Sequence, residues 1–217
     1  MNYSSRVGVL AGTAIAATLL AACATTPPKV EAYKAMPMGS TWTYSQHNSG
    51  SYAAQLGGSE LKVQGTVGER VWEGRKVLAF SGSQGTIVAE PEPSGRWLAI
   101  LGPGDKPFVR WDPPLGYEWP VEVGRTWTKN HRLTLVTGQT IPMDVSCKVQ
   151  SYEDVVVPAG TFPAFKVACS FSTGLEEITW FSPEFGIFVK TSDIRGANFR
   201  DGPGTQQQEL ISLNVKK

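Results

Sequence analysis

The sequence has little of what enzymes and nucleic-acid-binding proteins usually need. Its 217 residues include two histidines and three cysteines, and 20 lysines and arginines nearly balance 19 aspartates and glutamates. A balanced charge excludes the strongly basic face with which proteins bind nucleic acid. The sequence also lacks the Gly-x-Ser-x-Gly, His-Glu-x-x-His and Gly-x-x-x-x-Gly-Lys motifs of nucleophilic, zinc and phosphate sites. We therefore expect no enzymatic activity, no metal, no cofactor and no nucleic-acid partner.

The few groups that could act in catalysis have simpler interpretations. His47 and His131 each lie among polar residues, which is typical of solvated loops. Glu176 and Glu177 could suggest a pair of carboxylates for glycoside hydrolysis, but adjacent strand residues face opposite sides of a sheet. We interpret this pair as a strand edge that faces water. The sequence therefore predicts no catalytic residue.

Long apolar runs are also missing, with one exception at the N-terminus. After Arg6, residues 7–22 are sixteen uncharged and mostly small or aliphatic positions. A positive residue followed by such a run is typical of a secretory signal peptide. The alternative is a transmembrane anchor, but a span needs roughly 20 apolar residues and this run is shorter.

The run ends in Leu20-Ala21-Ala22-Cys23, which resembles the lipobox of bacterial lipoproteins. The resemblance implies cleavage before Cys23, acylation of its thiol with palmitate-type chains, and a membrane-anchored protein of the cell envelope. A chance cysteine at the end of a signal peptide is the alternative. The next residue is Ala24 rather than aspartate, which by the same resemblance favours the outer membrane, with the domain facing the periplasm. The inner membrane and the cell surface are the other locations.

These observations predict three regions. Residues 1–22 form a lipoprotein signal peptide, and residues 23–36 form a lipidated N-terminus with a flexible tether. Pro27-Pro28 favours the tether because proline fits neither a helix interior nor a central strand. Residues 37–217 form a β-rich periplasmic domain.

The domain lacks the apolar spacing of amphipathic helices and instead alternates with a period of two. Apolar residues at 143, 145, 147 and 149 alternate with polar ones, and residues 165–171 and 211–215 repeat the pattern. Alternation of this kind favours an antiparallel sheet with one buried and one solvated face. We expect a mainly β fold, in which a single curved antiparallel sheet or half-barrel follows the signal peptide and tether.

A self-comparison raises the hypothesis of an internal duplication, with halves at residues 37–115 and 119–195. Gly39-Ser-Thr-Trp42 recurs as Gly124-Arg-Thr-Trp127, and Trp97 followed by Gly102 is similar in spacing to Trp180 followed by Gly186. The identities are few. Two such halves would share one continuous sheet, because about 80 residues with this apolar content are marginal as a separate domain.

The other two cysteines, Cys147 and Cys169, both lie on the apolar phase of their strands. Pro158-Ala159-Gly160 is a turn sequence midway between them, and a hairpin folded there sets the two cysteines opposite each other. That distance suits a disulfide, which a secreted protein retains. Two free buried thiols are the alternative. Zinc is not expected, because no histidine lies nearby to complete a site.

Three segments of the C-terminal half are similar to motifs shared by a diffuse set of uncharacterised bacterial envelope proteins. Trp119–Trp127 resembles (F/W)PLxVGxxW, Val156–Val167 resembles VPAGTFxAxKV, and Ile178–Lys190 resembles xxWYSPxxGxVK. The similarity covers roughly residues 119–195 and includes no established catalytic residue. It implies an extracytoplasmic β-rich domain, related in shape to a half-barrel or to envelope lipid carriers.

Seven tryptophans are many for a chain of this length, and three of them suggest a ligand groove. Trp97, Trp111 and Trp119 flank a stretch rich in proline and glycine, and aromatic rings suit a groove for acyl chains, glycan rings or a partner's loop. The alternative is that they fill the core of a strongly curved sheet. We expect a non-enzymatic, membrane-anchored binding or envelope-assembly module, whose partner is an envelope protein. The alternative is a carrier of a lipid or hydrophobic ligand in a half-barrel groove.

Overall fold

Residues 26–217 form twelve antiparallel strands, one short α-helix and one 3-10 turn. The computed structural model describes this part of the chain, so the predicted signal peptide and Cys23 lie outside the described residues. No helix among residues 26–217 is long and apolar enough to span a bilayer. The elements in chain order are β1 (Thr41–Asn48), α1 (Gly50–Leu56), β2 (Glu60–Trp72), β3 (Arg75–Gly82), β4 (Gly85–Ala89), β5 (Trp97–Leu101), the 3-10 turn (Pro103–Asp105), β6 (Pro107–Leu115), β7 (Thr126–Leu135), β8 (Thr140–Val157), β9 (Gly160–Phe171), β10 (Leu175–Ser182), β11 (Ile187–Arg195) and β12 (Gly204–Asn214).

The sheet closes into a barrel, so the expectation of an open sheet or half-barrel was wrong. Each strand pairs with its neighbours in sequence, and the first strand also pairs with the last, so that no strand is left at an edge. Trp42 lies opposite Leu213 and Gln46 lies opposite Gln208 in this closing pair. Closure removes the exposed strand edges that an open sheet would leave for aggregation. The predicted mainly β class is confirmed.

The predicted hairpin of β8 and β9 is present with its disulfide. Pro158 and Ala159 form the turn, Cys147 lies directly opposite Cys169, and their Cα atoms are 4.1 Å apart. Both cysteines are buried in the main core inside the barrel, and Val149 is buried with them. Buried and exposed residues alternate along this part of β8, as the sequence predicted. The disulfide therefore joins two adjacent strands of the barrel wall.

The segment predicted as a flexible tether packs against one end of the barrel from Val30 onward. Val30 and Val121 exchange two backbone hydrogen bonds, and the Tyr33 N–H donates to Pro93 O. Tyr33 and Met36 retain only 8% and 4% of their side-chain exposure. Two proline residues do stop regular structure, but the apolar residues that follow them are buried. We call residues 30–38 the strap, and the barrel end that they cover the strap end.

The opposite end of the barrel carries α1. This helix follows β1, contacts β12, and buries Tyr52. Its C-terminus is Gly57, whose φ of 79° is the left-handed conformation that commonly ends helices. We call this the helix end. The turn between β3 and β4 and the loop between β11 and β12 lie at the same end, because successive antiparallel strands alternate in direction.

The two halves of the chain begin with the same backbone arrangement. Gly39 and Ser40 exchange hydrogen bonds with Val67, and Gly124 and Arg125 exchange the equivalent pair with Val149. The first half then contributes six strands to the barrel and the second contributes five, because β12 lies beyond residue 195. Trp97 lies on the fifth strand of its half, however, whereas Trp180 lies on the fourth, so this pair is not equivalent. The duplication stays a hypothesis.

Candidate functional site

A cavity of about 260 Å³ lies inside the barrel and extends between the strap and the turn that joins β3 to β4. Its wall is built from inward-facing side chains of strands on both sides of the β1–β12 closure. Most of the lining is aromatic or aliphatic, which makes the interior a candidate site for an apolar ligand. The lining residues are Tyr33, Met36, Trp42, Tyr44, Val63, Gln64, Phe80, Gly82, Gln84, Gly85, Ile87, Gly95, Trp97, Ile100, Gly186, Ile187, Phe188, Thr191 and Gln208.

Aromatic rings pack edge to face around this cavity. The Trp97 ring lies 6.1 Å from the Phe188 ring, and the Trp42 ring lies 6.2 Å from the Phe80 ring, both in T-shaped contacts. Gly65 on β2 lets the Trp42 indole lie close against the strand, because a Cβ there would stand 2.2 Å from the ring. Contacts of this geometry add about 0.5–1.5 kcal/mol each beyond burial, so the rings form a rigid wall.

The three tryptophans predicted to line a groove have different positions. Trp97 lines the cavity, and Trp111 packs behind it with ring centres 6.2 Å apart but does not line it. Trp119 belongs to a separate cluster with Tyr117 and Phe181, and its indole N–H donates to Ser94 O at 2.9 Å. The structure therefore does not bring the three into one groove. One ring is part of the cavity wall, and the other two fill the core.

The polar part of the wall belongs to a network of uncharged amides that the sequence analysis missed. Gln208 donates to Gln46 at 2.5 Å, and Gln46 donates to Asn48 at 3.1 Å. The Thr191 hydroxyl donates to Gln208 at 3.4 Å. Gln46 is fully buried although it was not a candidate. The signal was available in part, because Gln206 and Gln208 share the phase of buried Leu210 on β12.

The strap forms the boundary between the cavity and the outside at the strap end. The Tyr33 hydroxyl donates to Gly186 O at 3.1 Å, and burial raises the pKa of this phenol well above its usual value. Met36 lines the cavity on one side of the strap and a surface groove of about 610 Å³ on the other. Two glycines permit this packing: a Cβ at Gly95 would meet the Tyr33 ring at 2.3 Å, and one at Gly186 would meet Lys34 O at 2.0 Å.

A pair of carboxyl groups lies on the inner face near the helix end. Glu177 on β10 faces Asp193 on β11 across the sheet, and burial followed by the neighbouring carboxyl raises the pKa of Glu177 to about 8. Tyr52 of α1 donates to Asp193 at 3.1 Å, and the Arg195 guanidinium stacks 3.5 Å from the Tyr52 ring centre. The expectation that Glu176 and Glu177 face water is therefore correct for exposed Glu176 and wrong for Glu177, and β10 is not an edge strand, because it pairs on both sides.

The two histidines do not form an acid–base centre. His47 is exposed on β1 and pairs with Glu60, with Nδ1 2.6 Å from the carboxylate oxygen. His131 is buried on β7, and its Nδ1 lies 2.7 Å from Pro113 O. The expectation that both lie in solvated loops was wrong, because each sits in a strand. Among residues 26–217, no three histidine, cysteine or acidic side chains are grouped as metal ligands would be.

No protein-family model matches the chain, and no curated protein matches its sequence. Solved structures that are similar to the chain include the following three. A Bacteroides fragilis protein with a YmcC-like fold has a TM-score of 0.47 and 15% identity, covering 86% of this chain and 100% of its own. A candidate lipoprotein from Parabacteroides distasonis has a TM-score of 0.43 and 12% identity, with coverages of 85% and 99%. The hypothetical lipoprotein YmcC from Escherichia coli has a TM-score of 0.41 and 9% identity, with coverages of 80% and 84%. Similarities at this level give no information about a ligand or an activity.

Proposed function

We propose that this protein is a lipid-anchored, non-enzymatic binding protein of the bacterial cell envelope that holds a small hydrophobic ligand inside its barrel. The observation that carries the proposal is the cavity of about 260 Å³ with its wall of aromatic and aliphatic side chains. It supports the small-molecule alternative over an envelope-assembly module, and it supports a binding site inside a closed barrel rather than in a half-barrel groove.

The size of the cavity limits the ligand. An engineered apolar cavity of about 150 Å³ is large enough for benzene. Pockets for drug-sized ligands start at about 300 Å³. A cavity of about 260 Å³ therefore suits a ligand of one or two rings or a short acyl chain, and it is too small to enclose a complete phospholipid.

The envelope location rests on the N-terminal sequence and on the disulfide. Leu20-Ala21-Ala22-Cys23 supports a lipid anchor, and Ala24 supports the outer membrane over the inner membrane. The Cys147–Cys169 disulfide supports an oxidising compartment, in which such bonds persist. Several acyl chains on one cysteine would hold the protein to a membrane almost permanently, because each buried methylene contributes about 0.8 kcal/mol.

The anchor is tested by replacing the cysteine and its neighbour separately. Cys23→Ser should leave the precursor uncut or release the protein from membranes, measured by fractionation and by the mass of the N-terminal peptide. Ala24→Asp is the matched variant: acylation should persist while the protein moves to the inner-membrane fraction. Unchanged mass and membrane retention in Cys23→Ser would rule out the lipoprotein.

The ligand is tested on a chain from Ala24 to Lys217, which retains every residue of the strap and barrel. Native mass spectrometry should find a co-purified small molecule, and naphthalene should bind to the emptied protein in calorimetry. Val63→Phe should abolish naphthalene binding, because Val63 lines the cavity. Val71→Phe is the control, because Val71 lies on the same strand and is 71% exposed. Equal binding by both variants, or no binding by the wild type, would overturn the proposal.

A further inference from the structure

The cavity wall has no charged side chain. None of its nineteen lining residues is an aspartate, glutamate, lysine, arginine or histidine. Tyr33 and Tyr44 do line it, and burial raises the pKa of both phenols, so that they stay neutral. An ionised group moved from water into such a wall would lose its hydration without gaining a partner, and this loss is large.

The wall does have a half-buried pair of polar side chains that can form new hydrogen bonds. Gln64 and Gln84 are exposed at the rim, whereas Gln208 and Thr191 lie inside the barrel. A glutamine side chain can donate two hydrogen bonds and accept two. Gln208 donates one to Gln46 and accepts one from Thr191, which leaves one amide hydrogen and one lone pair without a partner among the described residues.

We propose that the cavity selects an uncharged ligand with an aromatic or alkyl body and one hydrogen-bonding group, which is held by Gln208 and Thr191. The proposal rests on the proposed binding function and specifies the chemical class of its ligand. The body packs between Trp97, Phe188 and the neighbouring rings, and a hydroxyl, carbonyl or amide group reaches the Gln208 amide. Ionised ligands such as free carboxylates and organic phosphates are rejected, because the wall gives them no counter-charge.

One interior carboxyl close to the proposed site also opposes the binding of an anion. The closest interior carboxyl on the same strand face is Asp193, two residues beyond Thr191 on β11, and it faces Glu177. A carboxylate ligand at Thr191 would therefore approach the Asp193 carboxylate, which has the same sign. Arg195 offsets part of this effect, because its positive charge favours the ionised form of Asp193 while its guanidinium stacks on Tyr52 and Phe199.

Three probes with the same two-ring body separate the effects of the apolar body, the hydrogen-bonding group and the charge. They are naphthalene, 2-naphthol and 2-naphthoate, titrated calorimetrically at neutral pH into the chain from Ala24 to Lys217. One additional hydrogen bond should make 2-naphthol bind roughly five- to tenfold tighter than naphthalene. The ionised 2-naphthoate should bind at least about a hundredfold more weakly than 2-naphthol.

Two variants assign the preference to its residues. Gln208→Leu should remove the preference for 2-naphthol over naphthalene while naphthalene still binds, and Thr191→Val should reduce it. Gln207→Leu is the matched control, because Gln207 is the neighbouring residue on β12 and is exposed. Thermal unfolding shows whether each variant folds, and Thr191→Val provides the test if Gln208→Leu does not.

The outcomes distinguish the two proposals. If none of the three probes binds, the proposed binding function falls and this inference falls with it. If naphthalene binds but 2-naphthoate binds as tightly as 2-naphthol, the binding function stands and the selection of uncharged ligands is wrong. An unchanged preference for 2-naphthol in both Gln208→Leu and Thr191→Val would equally refute the role of these residues.

Discussion

Adding one methyl group at Gly186 should dislodge the strap. The Cβ of an alanine there would lie 2.0 Å from the carbonyl oxygen of Lys34, which is part of the strap backbone and has no flexible side chain to move aside. Gly186 also has a φ of 61°, a left-handed conformation that costs an L-residue about 1–2 kcal/mol by itself. Gly186→Ala therefore combines a local backbone cost with a collision.

Gly138→Ala isolates the collision. Gly138 has a φ of 83° in the turn between β7 and β8, and no atom lies within 4 Å of an added Cβ. Release of the strap loses the burial of Met36, worth about 1.5–3 kcal/mol. It also loses the Tyr33 hydrogen bond to Gly186, worth about 1 kcal/mol. We expect Gly186→Ala to lower the free energy of unfolding by about 2.5–4 kcal/mol more than Gly138→Ala, which is the cost of releasing the strap.

Denaturant titration measures the free energy, and hydrogen exchange identifies the segment. The amide N–H groups of Val30 and Tyr33 are bonded to Val121 and Pro93 across the strap contact, so both should exchange faster in Gly186→Ala and remain protected in Gly138→Ala. Equal stability of the two variants together with protected strap amides would refute the role given to the strap.

Two further predictions concern the barrel interior. Reducing the Cys147–Cys169 disulfide should lower the free energy of unfolding by about 3 kcal/mol in denaturant titrations, because a loop of 22 residues is no longer closed in the unfolded chain; an unchanged midpoint under reducing conditions would contradict this. Burial raises the pKa of Glu177 to about 8, above its value in the unfolded chain. Between about pH 5 and 8 the folded protein therefore binds a proton that the unfolded chain has lost, so the melting temperature should fall as the pH rises through this range. Glu177→Gln should flatten the part of this dependence above about pH 6, because burial also raises the pKa of Asp193 to about 6. Glu176→Gln, at the exposed neighbour, should retain the full dependence; a flat wild-type profile would show that the Glu177 carboxyl ionises normally.

Local patterns predicted much of the wall. Alternating residues at 143–149 and 165–171, together with Pro158-Ala159-Gly160, were sufficient to place Cys147 opposite Cys169, because a hairpin register depends on residues close in the chain. Closure of the sheet was not predictable in this way. It depends on the pairing of Trp42 with Leu213 across almost the whole chain, and neither strand has a pattern that names its partner.

The strap and the carboxyl pair were missed for a different reason. Val30, Tyr33 and Met36 are apolar and three residues apart. Such a spacing predicts a buried face only within a helix or strand, and the short segment after Pro27-Pro28 is predicted to form neither. Glu177 shares the phase of buried Thr179 and Phe181, which was a usable signal. The residue type pointed the other way, because acidic residues are rarely buried unless they are paired.

The size of the barrel explains why the tryptophans act both as core and as cavity wall. Barrel diameter grows with strand number, and about eight strands enclose a space that side chains just fill. Twelve strands enclose more, so the interior needs additional material. Here the strap supplies Tyr33 and Met36, α1 supplies Tyr52, and Trp111 and Trp119 fill the remaining width of one side. The space that remains beside Trp97 is lined mostly by aromatic and aliphatic side chains, and its polar side chains are uncharged. The sequence left open whether these tryptophans fill a core or line a site. The answer depends on where each ring lies inside a barrel that is too wide to be filled by the side chains of its own strands.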